Sequence, residues 1–120
     1  MSDVVLKERR GSILIVTLNR PSVLNAVSAQ LRRELTATLV AANIDDTVKA
    51  VVITGAGQAF CAGQDLGEAA GFEVGDVRAW CDGMRAMYQS VRDVMKPCVA
   101  AFNGIAAGAG IQIGLCSDLR

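Results

Sequence analysis

The sequence predicts an α/β fold, in which strands and helices alternate along one domain. Three observations support this class. Two segments carry apolar residues at every third or fourth position, short β-branched runs lie between them, and glycine-rich loops follow two of those runs directly. The predicted order is ββαβ, a short helix, and then αβα. Strands that are joined by helices in this way favour a parallel sheet.

The chain begins with a predicted β-hairpin. Residues 4–9 and 13–18 are rich in β-branched and apolar side chains, and Gly11 lies in the short connection between them. Pro21 ends the second strand, since proline has no N–H to donate to a sheet.

A helix and a central strand are predicted next. Ser28 is a suitable N-cap for a helix that continues to about residue 43. Its buried stripe consists of leucines at i, i+4 spacing, namely Leu31, Leu35 and Leu39. The segment 48–54 is apolar and β-branched, and Val51-Val52-Ile53 predicts a strand that is covered on both faces.

The clearest helical period lies at residues 74–95. Its apolar positions step by three and four: Val77, Trp80, Cys81, Met84, Met87, Tyr88, Val91, Val94 and Met95. Pro97 should stop this helix, and residues 98–102 are predicted to form the next strand. A further strand should begin at Leu119.

The loops after two strands carry the main functional signal. Residues 55–66 follow one strand, and residues 103–112 follow another and open a helix. Helix N-termini carry unpaired N–H groups and roughly half a positive charge, so they bind anions or oxygens that become anionic. Small residues let a substrate approach this backbone closely. Each loop could therefore donate one N–H to a shared oxygen.

Composition restricts the class of protein. The chain has 120 residues, 12 basic and 12 acidic side chains and no net charge, which argues against a nucleic-acid or membrane-surface partner. The sequence shows neither a membrane span nor a signal peptide, so a cytoplasmic protein is expected. Its four cysteines are widely spaced and it has no histidine, so neither a zinc site nor histidine-based nucleophilic catalysis is predicted.

Four ordered motifs resemble those of the crotonase (enoyl-CoA hydratase/isomerase) superfamily. They are Asn-Arg-Pro-Ser-Val-Leu-Asn-Ala at 19–26, Ala-Phe-Cys-Ala-Gly-Gln-Asp-Leu at 59–66, Lys-Pro-Cys-Val-Ala-Ala-Phe-Asn-Gly at 96–104 with Ala-Gly-Ala-Gly at 107–110, and Cys-Ser-Asp-Leu-Arg at 116–120. The resemblance implies a spiral of ββα units. Residues 1–120 would be the N-terminal portion of a single crotonase-fold domain, ending before its C-terminal helical part. It also implies a homo-oligomer, a trimer or hexamer, for the full-length protein.

The resemblance implies an acyl-CoA thioester as substrate, within fatty acid metabolism. The thioester oxygen would meet the backbone N–H groups of Gln64 and Ala109, which would stabilise the enolate that forms. No metal or redox cofactor is implied, and CoA enters as part of the substrate. The positions that would contact CoA are Ser22, Val23, Ala26, Ala62, Asp65 and Leu66.

Some of these positions have a second interpretation. Gln112 stands where two-glutamate hydratases carry a carboxylate, and an amide cannot exchange a proton near neutral pH, so an isomerase or divergent hydratase is favoured. At Ser22 the family often has a basic residue able to reach phosphate. Asp65 could instead cap a short helix that begins at Leu66. Met84, Met87 and Tyr88 fit either an acyl pocket or ordinary core packing.

Two other classes of function remain as alternatives. The chain could be a catalytically incomplete fragment or an interaction subunit of the same fold, since the acid/base residues of such enzymes would lie after Arg120. A Rossmann-like nucleotide binder is disfavoured, because the loop that begins Gly55-Ala56-Gly57 lacks the third glycine of the dinucleotide-binding motif.

Overall fold

A four-stranded sheet forms the base of the computed structural model, which describes residues 3–120. The strands β1 (Val5–Arg10) and β2 (Ile13–Leu18) form the predicted antiparallel hairpin, with Val5 opposite Leu18. Gly11 turns the chain with a φ of 61°, a conformation that costs glycine little. The predicted hairpin is therefore confirmed, with its first strand displaced by one residue.

The sheet continues with parallel strands. β3 (Ala50–Gly55) pairs with β2, and β5 (Cys98–Ala100) pairs with β3, which gives the order β1-β2-β3-β5. Val51 and Ile53 are fully buried in one cluster with the leucines of the first helix. Val52 points to the opposite face and is half-buried, so the described residues cover that face of the strand only in part.

The first long helix, α1 (Ala29–Ile44), has its predicted cap and buried face. The Ser28 hydroxyl oxygen accepts a hydrogen bond from the Leu31 N–H at 3.1 Å, which satisfies one of the unpaired donors of the first turn. The predicted stripe of three leucines is fully buried. These residues pack α1 against the sheet and against the second long helix.

The second long helix follows a single helical turn. That turn is α2 (Leu66–Ala69), and the long helix is α3 (Val74–Arg92). α3 ends three residues before the predicted position. The chain leaves the helix there because the Met95 N–H donates to the Asn43 side chain at 2.7 Å and Pro97 follows.

Two short strands were missed by the sequence analysis. β4 (Ala59–Cys61) and β6 (Ile105–Ala106) lie in segments predicted to be loops, and they pair in parallel as a separate sheet. The helix α4 (Ala109–Cys116) then begins within the predicted glycine-rich run. Leu119 pairs with Val99, as expected of a further strand. Among the described residues, no helix has both the length and the hydropathy needed to cross a bilayer.

Candidate active site

The small sheet brings the two glycine-rich loops together. Ala59 pairs with Ile105 and Cys61 with Ala106, and the Ala107 N–H donates to the Cys61 carbonyl at 3.0 Å. The chain leaves this pairing on both sides through glycines of positive φ, 117° at Gly63 and 51° at Gly108.

Gly63 lies directly against the second loop. A Cβ placed on it would lie 3.3 Å from the Ala107 carbonyl oxygen and 3.9 Å from the Ala109 nitrogen. The positive φ and this close approach together favour glycine, because a side chain here would be strained and would reach the start of α4. The loop before Gln64 and the loop before Ala109 therefore lie too close together for a side chain at Gly63, and a shared oxygen between their N–H groups stays a prediction.

The direction of the Gln64 N–H is set by the pairing of residues 63–65 with Val27. Val27 donates to the Gly63 carbonyl at 2.7 Å, and its own carbonyl accepts from the Asp65 N–H at 3.1 Å. Because successive peptide groups in an extended chain point to opposite sides, the Gln64 N–H faces away from Val27. It has no acceptor within residues 3–120.

Ala109 occupies the first position of α4. Two of the N–H groups that follow it are used, since Gly110 donates to the Ala107 carbonyl at 2.8 Å and Gln112 to the Gly108 carbonyl at 3.1 Å. The Ala109 N–H has no acceptor in the described part of the chain. It also lies at the positive end of the helix dipole, so it is suited to an oxygen that carries negative charge.

The predicted CoA-contacting positions fall on two adjacent segments. Ser22 and Val23 are exposed on a single 3-10 turn, Pro21–Val23, and Leu66 is exposed at the start of α2. Ala26 is buried and Ala62 half-buried. The segments are joined by a hydrogen bond from the Ala62 N–H to the Leu24 carbonyl at 3.0 Å, so the structure brings all of these positions to one region.

Asp65 uses its carboxylate within the fold. One oxygen caps α2 by accepting from the Glu68 N–H at 3.1 Å, and the other pairs with Arg20 at 3.0 Å. The Glu68 N–H, and then the Arg20 guanidinium, lower the pKa of this carboxyl below its usual value. The predicted helix cap is confirmed. A contact of Asp65 with CoA stays a prediction, and it would have to use the main chain.

Arg20, Asn25 and Asn103 were not predicted to have a role, yet their side chains hold the region together. Asn103 donates to the Gly57 and Ala59 carbonyls, both at 3.1 Å. Arg20 donates to the Ala26 carbonyl at 2.6 Å as well as to Asp65. Asn25 is fully buried and donates to the Ala56 and Ala59 carbonyls at 3.0 and 2.8 Å. Two of the quoted motifs contain these asparagines, and an asparagine side chain commonly bonds to nearby backbone and tolerates positive φ. Their presence could have predicted this structural role.

Gln112 lies one helical turn after Ala109 and borders a groove between α3 and α4. The groove has a volume of about 330 Å³ and is lined by Trp80, Cys81, Met84, Arg85, Tyr88, Arg92 and Gln112. Met87 is instead fully buried in the core. Burial raises the pKa of the Tyr88 hydroxyl, so Tyr88 is neutral at physiological pH. Two of the three side chains considered for an acyl pocket thus line this groove.

Cys61 is buried beneath the candidate site. Burial raises the pKa of its thiol, which keeps the sulfur protonated. A protonated, enclosed thiol is a poor nucleophile, so Cys61 acts here as a small packing residue beside Gly110.

Comparison with known proteins places these features in a family context. The model of the family described as enoyl-CoA hydratase/isomerase matches residues 8–120. The chain is 39% identical over 107 residues to a probable enoyl-CoA hydratase of Rhodobacter capsulatus, covering 89% of this chain and 41% of that protein. It is 32% identical to the 1,2-epoxyphenylacetyl-CoA isomerase of Escherichia coli, covering 99% of this chain and 47% of that protein.

A solved structure agrees with these relatives. The crystal structure of an enoyl-CoA hydratase from Bacillus anthracis superposes with a TM-score of 0.94 at 34% identity, over 98% of this chain and 46% of that chain. The crotonase-like α/β fold predicted from the motifs is confirmed by this likeness. The chain spans a little under half the length of the relatives it matches.

Proposed function

The chain belongs to the enoyl-CoA hydratase/isomerase family, and we propose that it binds an acyl-CoA thioester whose carbonyl oxygen lies between the N–H groups of Gln64 and Ala109. The observation that carries this proposal is the contact between the two loops, in which both N–H groups lack an acceptor within residues 3–120. Two unpaired donors on adjacent loops are what an oxygen of developing negative charge requires.

The donors would act by stabilising an enolate. Main-chain N–H groups that are fixed by the fold need no reorganisation when charge develops, and in other enzymes such a donor contributes on the order of 3–4 kcal/mol. The dipole of α4 adds to the contribution of Ala109. Because both donors are backbone groups, the side chain of Gln64 is not needed for this role.

The groove and the exposed turn suggest where the rest of the substrate lies. The acyl group would extend from Ala109 along α4 toward Gln112, Met84 and Tyr88. The CoA part would lie over Ser22, Val23 and Leu66, whose exposed surfaces are small or apolar. Arg20 would contribute little to phosphate binding, since its guanidinium is already engaged by Ala26 and Asp65.

The reaction we favour is an enolate reaction that does not depend on two carboxylates, such as isomerisation. Gln112 can orient water or substrate through its amide, but it cannot serve as an acid or base near neutral pH. One relative is itself named an isomerase. The alternative of a catalytically incomplete fragment or interaction subunit is tested separately, by turnover rather than by binding.

Ala109→Pro tests the proposed donor. Proline lacks an N–H and is accepted at the first position of a helix, so it removes one donor while α4 keeps its start. Gly108 before it has φ 51° and ψ −119°, a mirror-image extended conformation open to glycine. We expect crotonyl-CoA to bind roughly tenfold more weakly, as the loss of one hydrogen bond predicts, while free CoA binds unchanged.

Val74→Pro is the matched control, because Val74 is the first residue of α3 and is 93% exposed. It should leave both affinities, measured by isothermal titration calorimetry, unchanged. Equal affinity of crotonyl-CoA for wild type and Ala109→Pro would refute the assigned donor. Binding that depends on Ala109 without any turnover of a panel of acyl-CoA substrates would favour the incomplete or interaction subunit.

A further inference from the structure

A second groove lies between α1 and α3, away from the two loops. It has a volume of about 310 Å³ and is lined by Arg32, Arg33, Thr36, Ala37, Gly83 and Ala86. Two of these residues are cationic and none is acidic. The groove is therefore a concentration of positive charge on a chain that has no net charge.

Arg32 is only partly exposed, and its guanidinium lies against α3 at Gly83. A Cβ placed on Gly83 would lie 2.5 Å from the Arg32 Nε, 3.0 Å from its Cζ and 3.1 Å from its Nη2. A glycine inside a helix costs about 1 kcal/mol relative to alanine. The contact gives a physical reason for glycine at this position, because any larger residue would displace the guanidinium.

The Arg32 Nη1 atom is buried and has no hydrogen-bond partner among residues 3–120. Burial of a charged donor without a partner is unfavourable, and removal of a guanidinium from water requires an anion or several acceptors to offset it. The planar fork of arginine matches a carboxylate or phosphoryl group, which can accept two N–H bonds at once.

We propose that Arg32, packed against Gly83 and assisted by Arg33, forms a binding site for a small soluble oxyanion, a phosphate or carboxylate compound. Arg33 is exposed at the rim of the groove and would contribute long-range attraction more than a fixed contact. The site shares no lining residue with the groove that borders Gln112, so it does not depend on the proposed acyl-CoA function.

Calorimetric titration with inorganic phosphate at constant ionic strength, repeated with acetate, tests this site. We expect saturable phosphate binding to the wild type and a dissociation constant at least tenfold higher in Arg32→Gln. Gly83→Ala should have a similar effect although it keeps every charge. The three atoms nearest to its new methyl group all belong to the movable Arg32 side chain, and alanine favours the helix, so this variant should fold.

Arg10→Gln removes an equal charge from β1, where the Arg10 side chain is 71% exposed, and it should bind phosphate as the wild type does. Acetate that competes with phosphate would support recognition of oxyanions in general. Equal phosphate affinity in the wild type, Arg32→Gln and Gly83→Ala would overturn the proposal. It would also be overturned if phosphate did not bind the wild type, whatever the effect of Arg32→Gln on the stability of the fold.

Discussion

The main sheet and the small sheet differ in how much they depend on directional bonds. Three six-residue strands, the three-residue β5 and a helix with a continuous leucine stripe bury the main sheet in one apolar cluster. The small sheet has strands of three and two residues, and it depends on side-chain amides that bond to backbone carbonyls and on close glycine contacts. Apolar burial thus fixes the main sheet, whereas the small sheet combines the burial of Phe60 and Cys61 in the same cluster with a few directional bonds.

This difference predicts two kinds of mutational effect. A cavity in the scaffold should lower the stability of the whole domain and leave the ligand affinity of the folded molecules unchanged. A broken polar contact in the site should cost less stability but change the positions of the two loops. The following substitutions test that separation, from the largest expected effect to the smallest.

Leu35→Ala should have the largest effect on stability. Leu35 is fully buried in the cluster between α1 and the sheet, and truncation of a core leucine costs about 3 kcal/mol through lost burial and the cavity that remains. Urea unfolding followed by circular dichroism measures this change. Ile44→Ala, at a position that is 78% exposed, is the control and should be nearly neutral. A loss below about 1 kcal/mol for Leu35→Ala would contradict the scaffold argument.

Asn25→Ala should cost about 2 kcal/mol and also disturb the site. The substitution removes two donated bonds and the 2.7 Å bond that Asn25 accepts from the Arg20 N–H, and it forces alanine to adopt a φ of 58°.

Asn25→Gly separates the two causes of that loss. Glycine keeps the conformation but loses the hydrogen bonds, so its unfolding free energy should lie between those of the wild type and Asn25→Ala. In both variants we expect crotonyl-CoA to bind more weakly. Unchanged affinity despite the expected loss of stability would show that the side-chain hydrogen bonds of Asn25 do not position the two loops.

The Arg20–Asp65 pair should contribute about 1 kcal/mol, in a way that depends on pH. The two side chains are about 20% exposed, and the pKa of the Asp65 carboxyl is below its unfolded value of 3.8. Its contribution is therefore present above pH 3.8 and is lost as the pH falls through the folded pKa. Asp65→Asn keeps a good helix cap but removes the charge.

A double-mutant cycle with Arg20→Gln isolates this pair. The coupling energy, taken from urea unfolding at pH 6 and again at the lowest pH where the protein folds, should be favourable at pH 6 and should shrink at the lower pH. A coupling energy near zero at both pH values would show that Arg20 acts through its bond to the Ala26 carbonyl alone.

The same difference explains which parts of the structure could be predicted from the sequence. The leucine stripe of α1 and the longer stripe of α3 repeat over several turns, so periodicity located both helices, and Ser28 located the start of the first. Strands of two or three residues contain too few positions to show a period, and β4 and β6 were therefore missed. The three-residue β5 was predicted only because it lies in a longer apolar run, residues 98–102, that follows Pro97.

The sequence motifs of the site could be predicted, but the contacts between those motifs could not. The motifs placed Gln64 and Ala109 in two loops, but the direction of the Gln64 N–H depends on pairing with Val27, which lies 37 positions earlier in the chain. Likewise, the Arg20–Asp65 pair spans 45 residues, and nothing in the local pattern links the two. At Val52 the apolar run predicted a strand covered on both faces, and the described residues cover this second face only in part.

Gln64→Met should have the smallest effect, and it tests whether the site uses the backbone or the side chain of this residue. Both polar atoms of the Gln64 amide are buried without a hydrogen-bond partner in the part of the chain that the structure describes. Methionine has a similar length and no strong polar group, so its introduction should raise the unfolding free energy slightly, by about 1 kcal/mol or less. Gln58→Met, on the exposed part of the same loop, should not.

Crotonyl-CoA affinity then distinguishes the two roles of Gln64. The N–H remains in the methionine variant, so the dissociation constant should stay within about twofold of the wild-type value if the backbone is the donor. A marked loss of affinity together with unchanged stability would mean that the buried amide finds its partner in the ligand. The oxygen-binding role would then have to be divided between the main chain and the side chain of this residue.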